Sequence, residues 1–77
     1  MTSQNLLLTA FHNIAGHISN LERIKQWIEE IVAQQSTVDE SIKELRARSE
    51  KEDVTYRTDI RILINEIEHL SREKGSG

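Results

Sequence analysis

Residues 21–45 read LERIKQWIEEIVAQQSTVDESIKEL, and the spacing of the apolar side chains in this stretch decides the fold class. Leu21, Ile24, Ile28, Ile31, Gln35, Val38, Ile42 and Leu45 are separated by alternating steps of three and four. A mean step near 3.5 places them on one stripe of a helix, the pattern of coiled-coil packing. Trp27 and Val32 lie beside the stripe and widen it, which suits a bundle better than a two-stranded zipper.

Working outward, Leu7, Phe11, Ile14, Ile18 and Leu21 carry the same rhythm on the N-terminal side. Tyr56, Ile60, Leu63, Ile67 and Leu70 carry it on the C-terminal side, flanked by Ile62 and Ile64. The order of the steps slips near residue 21 and again between residues 49 and 56. Ser19-Asn20-Leu21-Glu22 and Ser49-Glu50-Lys51-Glu52 fit the S/T-x-x-E capping box at those places. Gly16 precedes the first, where a helix can end in a left-handed residue. A third box, Thr37-Val38-Asp39-Glu40, stands where the heptad runs on undisturbed and carries less weight. The expectation is an all-α protein: a short helix over 3–15, a long one over 19–48 and a third over 50–73. The last two form a hairpin that sets Leu45 near Val54, Ile42 near Tyr56 and Val38 near Leu63. The alternative is one continuous coiled-coil helix about 100 Å long.

Composition narrows the classes. The chain has 77 residues, no cysteine, no proline and three glycines, so neither a disulfide nor a thiolate metal site is available. Hydrophobic residues at 36% are too many for a disordered chain, and 4% aromatics are few for a β-rich domain. One domain over 1–74 is expected, with 75–77 as a flexible tail or an expression scar. No stretch approaches a membrane span or a secretory leader, and the absence of cysteine fits a cytoplasmic or other intracellular setting.

The net charge is -3. Residues 1–38 hold two bases and three acids, and residues 39–77 hold eight bases and ten acids. Nucleic acid is therefore not an expected partner. Arg46, Arg48, Lys51, Arg57 and Arg61 are the densest run of bases, but Glu44, Glu50, Glu52, Asp53 and Asp59 interrupt it. Acid-before-base pairs at i, i+4 (Asp39–Lys43, Glu44–Arg48, Asp53–Arg57, Glu68–Arg72) would support the helices.

Catalytic chemistry finds no foothold. There is no Gly-rich phosphate loop and no nucleophile elbow. Glu66-x-x-His69 resembles half of a carboxylate-bridged metal site, but one copy reads more simply as a polar helical turn. His12 and His17, five residues apart, cannot share a metal on an ideal helix. No enzyme activity, cofactor or metal is expected.

The remaining expectation is interaction. A chain this short is marginal alone, so its seam should be covered by other copies, as a trimer or tetramer, and by another protein. The interface residues would be Leu21, Ile24, Trp27, Ile28, Ile31, Gln35, Val38, Ile42, Leu45, Tyr56, Ile60, Leu63, Ile67 and Leu70. Gln35, the polar member, either fixes register or merely tolerates solvent. The expected function is a self-associating scaffold, assembly subunit or adaptor. The second reading is a small regulator or inhibitor docking on a larger macromolecule, possibly nucleic acid.

Overall fold

The computed structural model describes residues 3–35 and 37–75, and these form four α-helices. They are α1 (Ser3–Ile14), α2 (Leu21–Ala33), α3 (Val38–Glu50) and α4 (Val54–Gly75). Each packs an apolar face with helical periodicity. α2 buries Ile24, Trp27, Ile28 and Ile31, and α4 buries Ile60, Leu63, Ile64 and Ile67, both at i, i+3, i+4, i+7. α1 adds Leu6, Leu7, Ala10 and Ile14, and α3 adds Ile42 and Leu45. Together they make one core. The helices neighbour one another in a ring, α1 to α4 to α3 to α2 and back to α1. From Asn13 to Asn20 the partners on α4 fall from Glu66 to Asp59 and Thr55, so the two segments run antiparallel.

The expected long helix over 19–48 is broken in two, and the continuous helix is excluded. α2 stops because Gln35 takes a left-handed backbone, φ 56°. The N–H groups of Gln34 and Gln35 close tight turns onto the carbonyls of Ile31 and Val32. α3 restarts at the box given least weight from sequence. The Thr37 hydroxyl accepts from the Glu40 N–H at 3.2 Å, and the Glu40 carboxylate accepts from the Thr37 N–H at 3.1 Å. Gln35 is thus an exposed terminator and not a seam residue. The heptad runs through because a reversal every few turns can preserve spacing by coincidence. Backbone conformation, which spacing does not encode, decides the break.

The second reversal is present, at Lys51–Asp53, between α3 and α4. Its expected cap is not. Ser49 is buried inside α3, where its hydroxyl donates to the Arg46 carbonyl at 2.9 Å. The pairings expected across the hairpin are displaced along α4. Val38 and Ile42 share a groove with Glu68, Ser71 and Arg72, while Tyr56 stacks on Trp27 of α2 with ring centroids 5.4 Å apart. A turn centred later than Ser49 shifts every pairing toward the C-terminal end of α4. Val54 is 68% exposed.

The turn between α1 and α2 also differs in detail. α1 ends at Ile14 and passes into a 3-10 turn, Ala15–His17, before Ile18 extends the chain. Gly16 does not take a left-handed conformation. The Ser19 box does not form: Asn20 precedes α2 without a side-chain cap of its own. Asp59 of α4 supplies the acceptor instead. Its Oδ2 receives the N–H of Ser19 at 3.0 Å, the N–H of Asn20 at 2.8 Å and the side-chain amide of Asn20 at 3.0 Å. Of the expected tail, Gly75 closes α4, and Ser76 and Gly77 lie outside the described residues.

The radius of gyration is 11.5 Å, equal to the roughly 11.5 Å of a well-packed chain of this length. The chain exposes 5042 Å², against about 4,800 Å² for a compact monomer of its mass. A single copy thus reaches globular compactness. Among the described residues no helix is long and apolar enough to cross a membrane.

Candidate functional site

The residues expected to form an interface divide by position. Ile24, Trp27, Ile28, Ile31, Ile42, Leu45, Ile60, Leu63 and Ile67 are buried by the chain's own helices. Val38, Tyr56 and Leu70 are half-buried at the core's edge. Leu21 and Gln35 are exposed. The apolar seam is therefore mostly core, and a binding surface has to be sought on the outside of the bundle.

The metal reading of Glu66-x-x-His69 gains nothing. Glu66 Oε2 accepts from the Asn13 side-chain amide at 3.0 Å, tying α1 to α4. His12 and His17 are exposed. Among the described residues, no three His, Cys, Asp or Glu side chains could hold a metal ion.

The basic run behaves differently. Arg46 on α3 and Arg57 and Arg61 on α4, two helices that pack against one another, line a groove of about 310 Å³. Ser49, Glu50 and Asn65 complete the lining, with the core residues Ile60 and Ile64, 2% and 3% exposed, beneath it. Arg57 and Arg61 stand four residues apart on one helical face. All three arginines are exposed and carry no ion pair among the described residues.

Sequence alone mixes this cluster with acids, and the fold separates them. Glu44 binds Arg48 at 2.8 Å, and Glu30 of α2 binds the same guanidinium at 2.6 Å. The hydrogen bonds from Glu44 and then Glu30 raise the Arg48 pKa above its ordinary value. Glu52 faces Arg23 of α2 at 3.8 Å. Asp59 points to the turn before α2. Glu52 and Asp59 are thus directed to α2 or its entry, Glu44 is held by Arg48 within α3, and Glu50 lines the groove. Of the four i, i+4 pairs expected from sequence, Glu44–Arg48 forms, and Asp39–Lys43 and Asp53–Arg57 do not.

Three guanidinium groups against one carboxylate make a locally cationic groove on a chain of net charge -3. Planar guanidinium groups pair with carboxylate or phosphate through two parallel hydrogen bonds. Two further grooves lack this bias. One, beside α2, alternates Glu22 and Glu29 with Arg23 and Lys25. The other sets Asp39 and Glu68 against Arg72.

Comparison of the chain with protein-family models, with curated proteins and with solved structures gives no match. The functional reading rests on the geometry above.

Proposed function

We propose that this chain is a non-enzymatic protein-interaction module that docks a partner protein on the outer face of α3 and α4. The observation that carries the reading is the groove between these helices, where the exposed Arg46, Arg57 and Arg61 converge without an ion pair among the described residues. Exposed like charge left unpaired within the chain suits a docking site that selects its partner by charge complementarity. The scaffold, adaptor and regulator readings all place the work on such a face.

Self-association through the seam loses its original ground, because the chain covers that seam itself. A homo-oligomer of this fold would have to use the exterior, where Leu8, Leu21 and Val54 are the large hydrophobic residues left exposed among the described ones.

Site-specific photo-cross-linking tests the face. A cross-linker at Asn65, exposed at the groove, is expected to capture a protein partner that excess unmodified chain displaces. The same group at Gln26, exposed on α2, should not. Equal capture from the two positions, or capture that the unmodified chain does not compete, overturns the reading.

A further inference from the structure

We infer that the α3–α4 groove recognises an acidic segment of its protein partner, with carboxylates held by Arg57 and Arg61 and with Arg46 facing them from α3. The inference rests on the docking face proposed above and names its ligand chemistry.

Charge complementarity is the first argument. A free-standing cluster of like charges repels itself, and these three guanidiniums are kept together while Glu44 is held by Arg48 and Glu52 and Asp59 turn to α2 and its entry. An anionic partner relieves that repulsion. The Arg57–Arg61 spacing is the second argument. Residues at i, i+4 hold their Cβ atoms about 6 Å apart, a separation that acids at i, i+4 of a facing helix reproduce. Arg46, across the groove on α3, can clamp the segment from the other side.

The same features disfavour a nucleic acid. A polyanion needs a basic track along its backbone. Here Glu50 lines the groove, and Asp39 and Glu68 line its continuation along the same two helices. The net charge of -3 repels a long polyanion further.

The test uses the full chain and a fluorescein-labelled peptide with Glu pairs at i, i+4, read by anisotropy. Saturable binding is expected, and it should weaken as salt rises. Arg57→Ala and Arg61→Ala should each weaken it roughly ten-fold or more, the loss of a charge-assisted bidentate contact. Arg61→Lys, which keeps the charge and loses the fork, should weaken it less. Lys25→Ala, on α2, should leave it unchanged. Both arginines are exposed, so these variants are expected to keep the helical circular dichroism and the Trp27 emission of the parent, which separates lost binding from lost folding.

The inference is overturned if the peptide fails to bind or the arginine substitutions have no effect. It is overturned equally if a Gln-for-Glu peptide binds as well, or if inorganic phosphate at equal concentration displaces the peptide fully. Tighter binding of a thymidine oligonucleotide than of the peptide would replace it with a nucleic-acid site. Occupation of the groove by a second copy, seen as dimer formation lost in Arg57→Ala, would replace it with self-association. Face-selective cross-linking from Asn65 without peptide binding would leave the docking face standing and remove its acidic ligand.

Discussion

At the scale of single residues, two side chains reverse what their spacing suggests. Gln35 occupies a heptad position in sequence and a left-handed backbone in the fold. An L-residue there is strained by about 1–2 kcal/mol, and glycine is not. Gln35→Gly is therefore expected to stabilise the protein by about 1 kcal/mol, seen as a later urea midpoint followed by Trp27 fluorescence. Inside a continuous helix the same change would cost about 1 kcal/mol, so the sign of the shift separates the two geometries. Asp59 reads in sequence as one more surface acid and is 3% exposed in the fold. Its carboxylate serves two backbone N–H groups and the Asn20 amide. Asp59→Ala leaves those donors without their acceptor and is expected to cost about 1–3 kcal/mol. Asp59→Asn retains a carbonyl oxygen and should cost less. Faster hydrogen exchange at the Ser19 and Asn20 amides would locate the damage. An equal loss in both variants would assign the effect to packing instead.

At the scale of elements, caps determine where helices start. The Thr37 box closes reciprocally onto Glu40, and Thr37→Ala is expected to destabilise the protein by about 1 kcal/mol. Ser49 belongs to a box of the same pattern and sits inside α3, where its hydroxyl bonds back to a helix carbonyl. Such back-bonding contributes little, so Ser49→Ala should change stability by no more than about 0.5 kcal/mol. Paired thermal melts check this ordering, and a larger loss at Ser49 would contradict the placement of the break. The sequence Thr-Val-Asp-Glu does not differ from Ser-Glu-Lys-Glu in any local feature that ranks them. Thr37 caps because the chain has already turned left-handed at Gln35, whereas Ser49 follows Leu45 within a helix whose burial continues through it.

At the scale of the whole molecule, the ring of four helices closes the core within one chain. Ile31 is 1% exposed, and Ile31→Ala is expected to cost about 2–5 kcal/mol. Lys43→Ala, at an exposed position, should cost well under about 1 kcal/mol. Because the core needs no second copy, the melting temperature should stay constant over a hundredfold dilution, whereas a fold that required oligomerisation would melt earlier as it is diluted. Differential scanning fluorimetry across concentrations, with sedimentation equilibrium at each end, reads this directly. A melting temperature that falls on dilution would show that the seam residues also serve an interface between copies.

The three- and four-residue spacing of isoleucine and leucine determined by itself that the chain is helical, and which faces turn inward. Ile24, Ile28, Ile31, Leu45, Leu63 and Ile67 are legible as buried because periodicity is a local property of the helix. The slip between residues 49 and 56 and the one near residue 21 are legible for the same reason. What covers those faces was decided by tertiary structure alone. A heptad stripe is satisfied equally by another copy and by the chain's own next helix, and the choice depends on the reversal at Gln35, whose left-handed backbone leaves no mark in a run of ordinary helix formers. The groove follows from that choice. Arg46, Arg57 and Arg61 are visible in sequence only as part of a mixed run of charges. Bringing α2 against the α3–α4 turn, and its entry against α4, draws Glu52 and Asp59 into contacts elsewhere and leaves the arginines facing one another, because long-range pairing is set by which helices are neighbours and not by order along the chain.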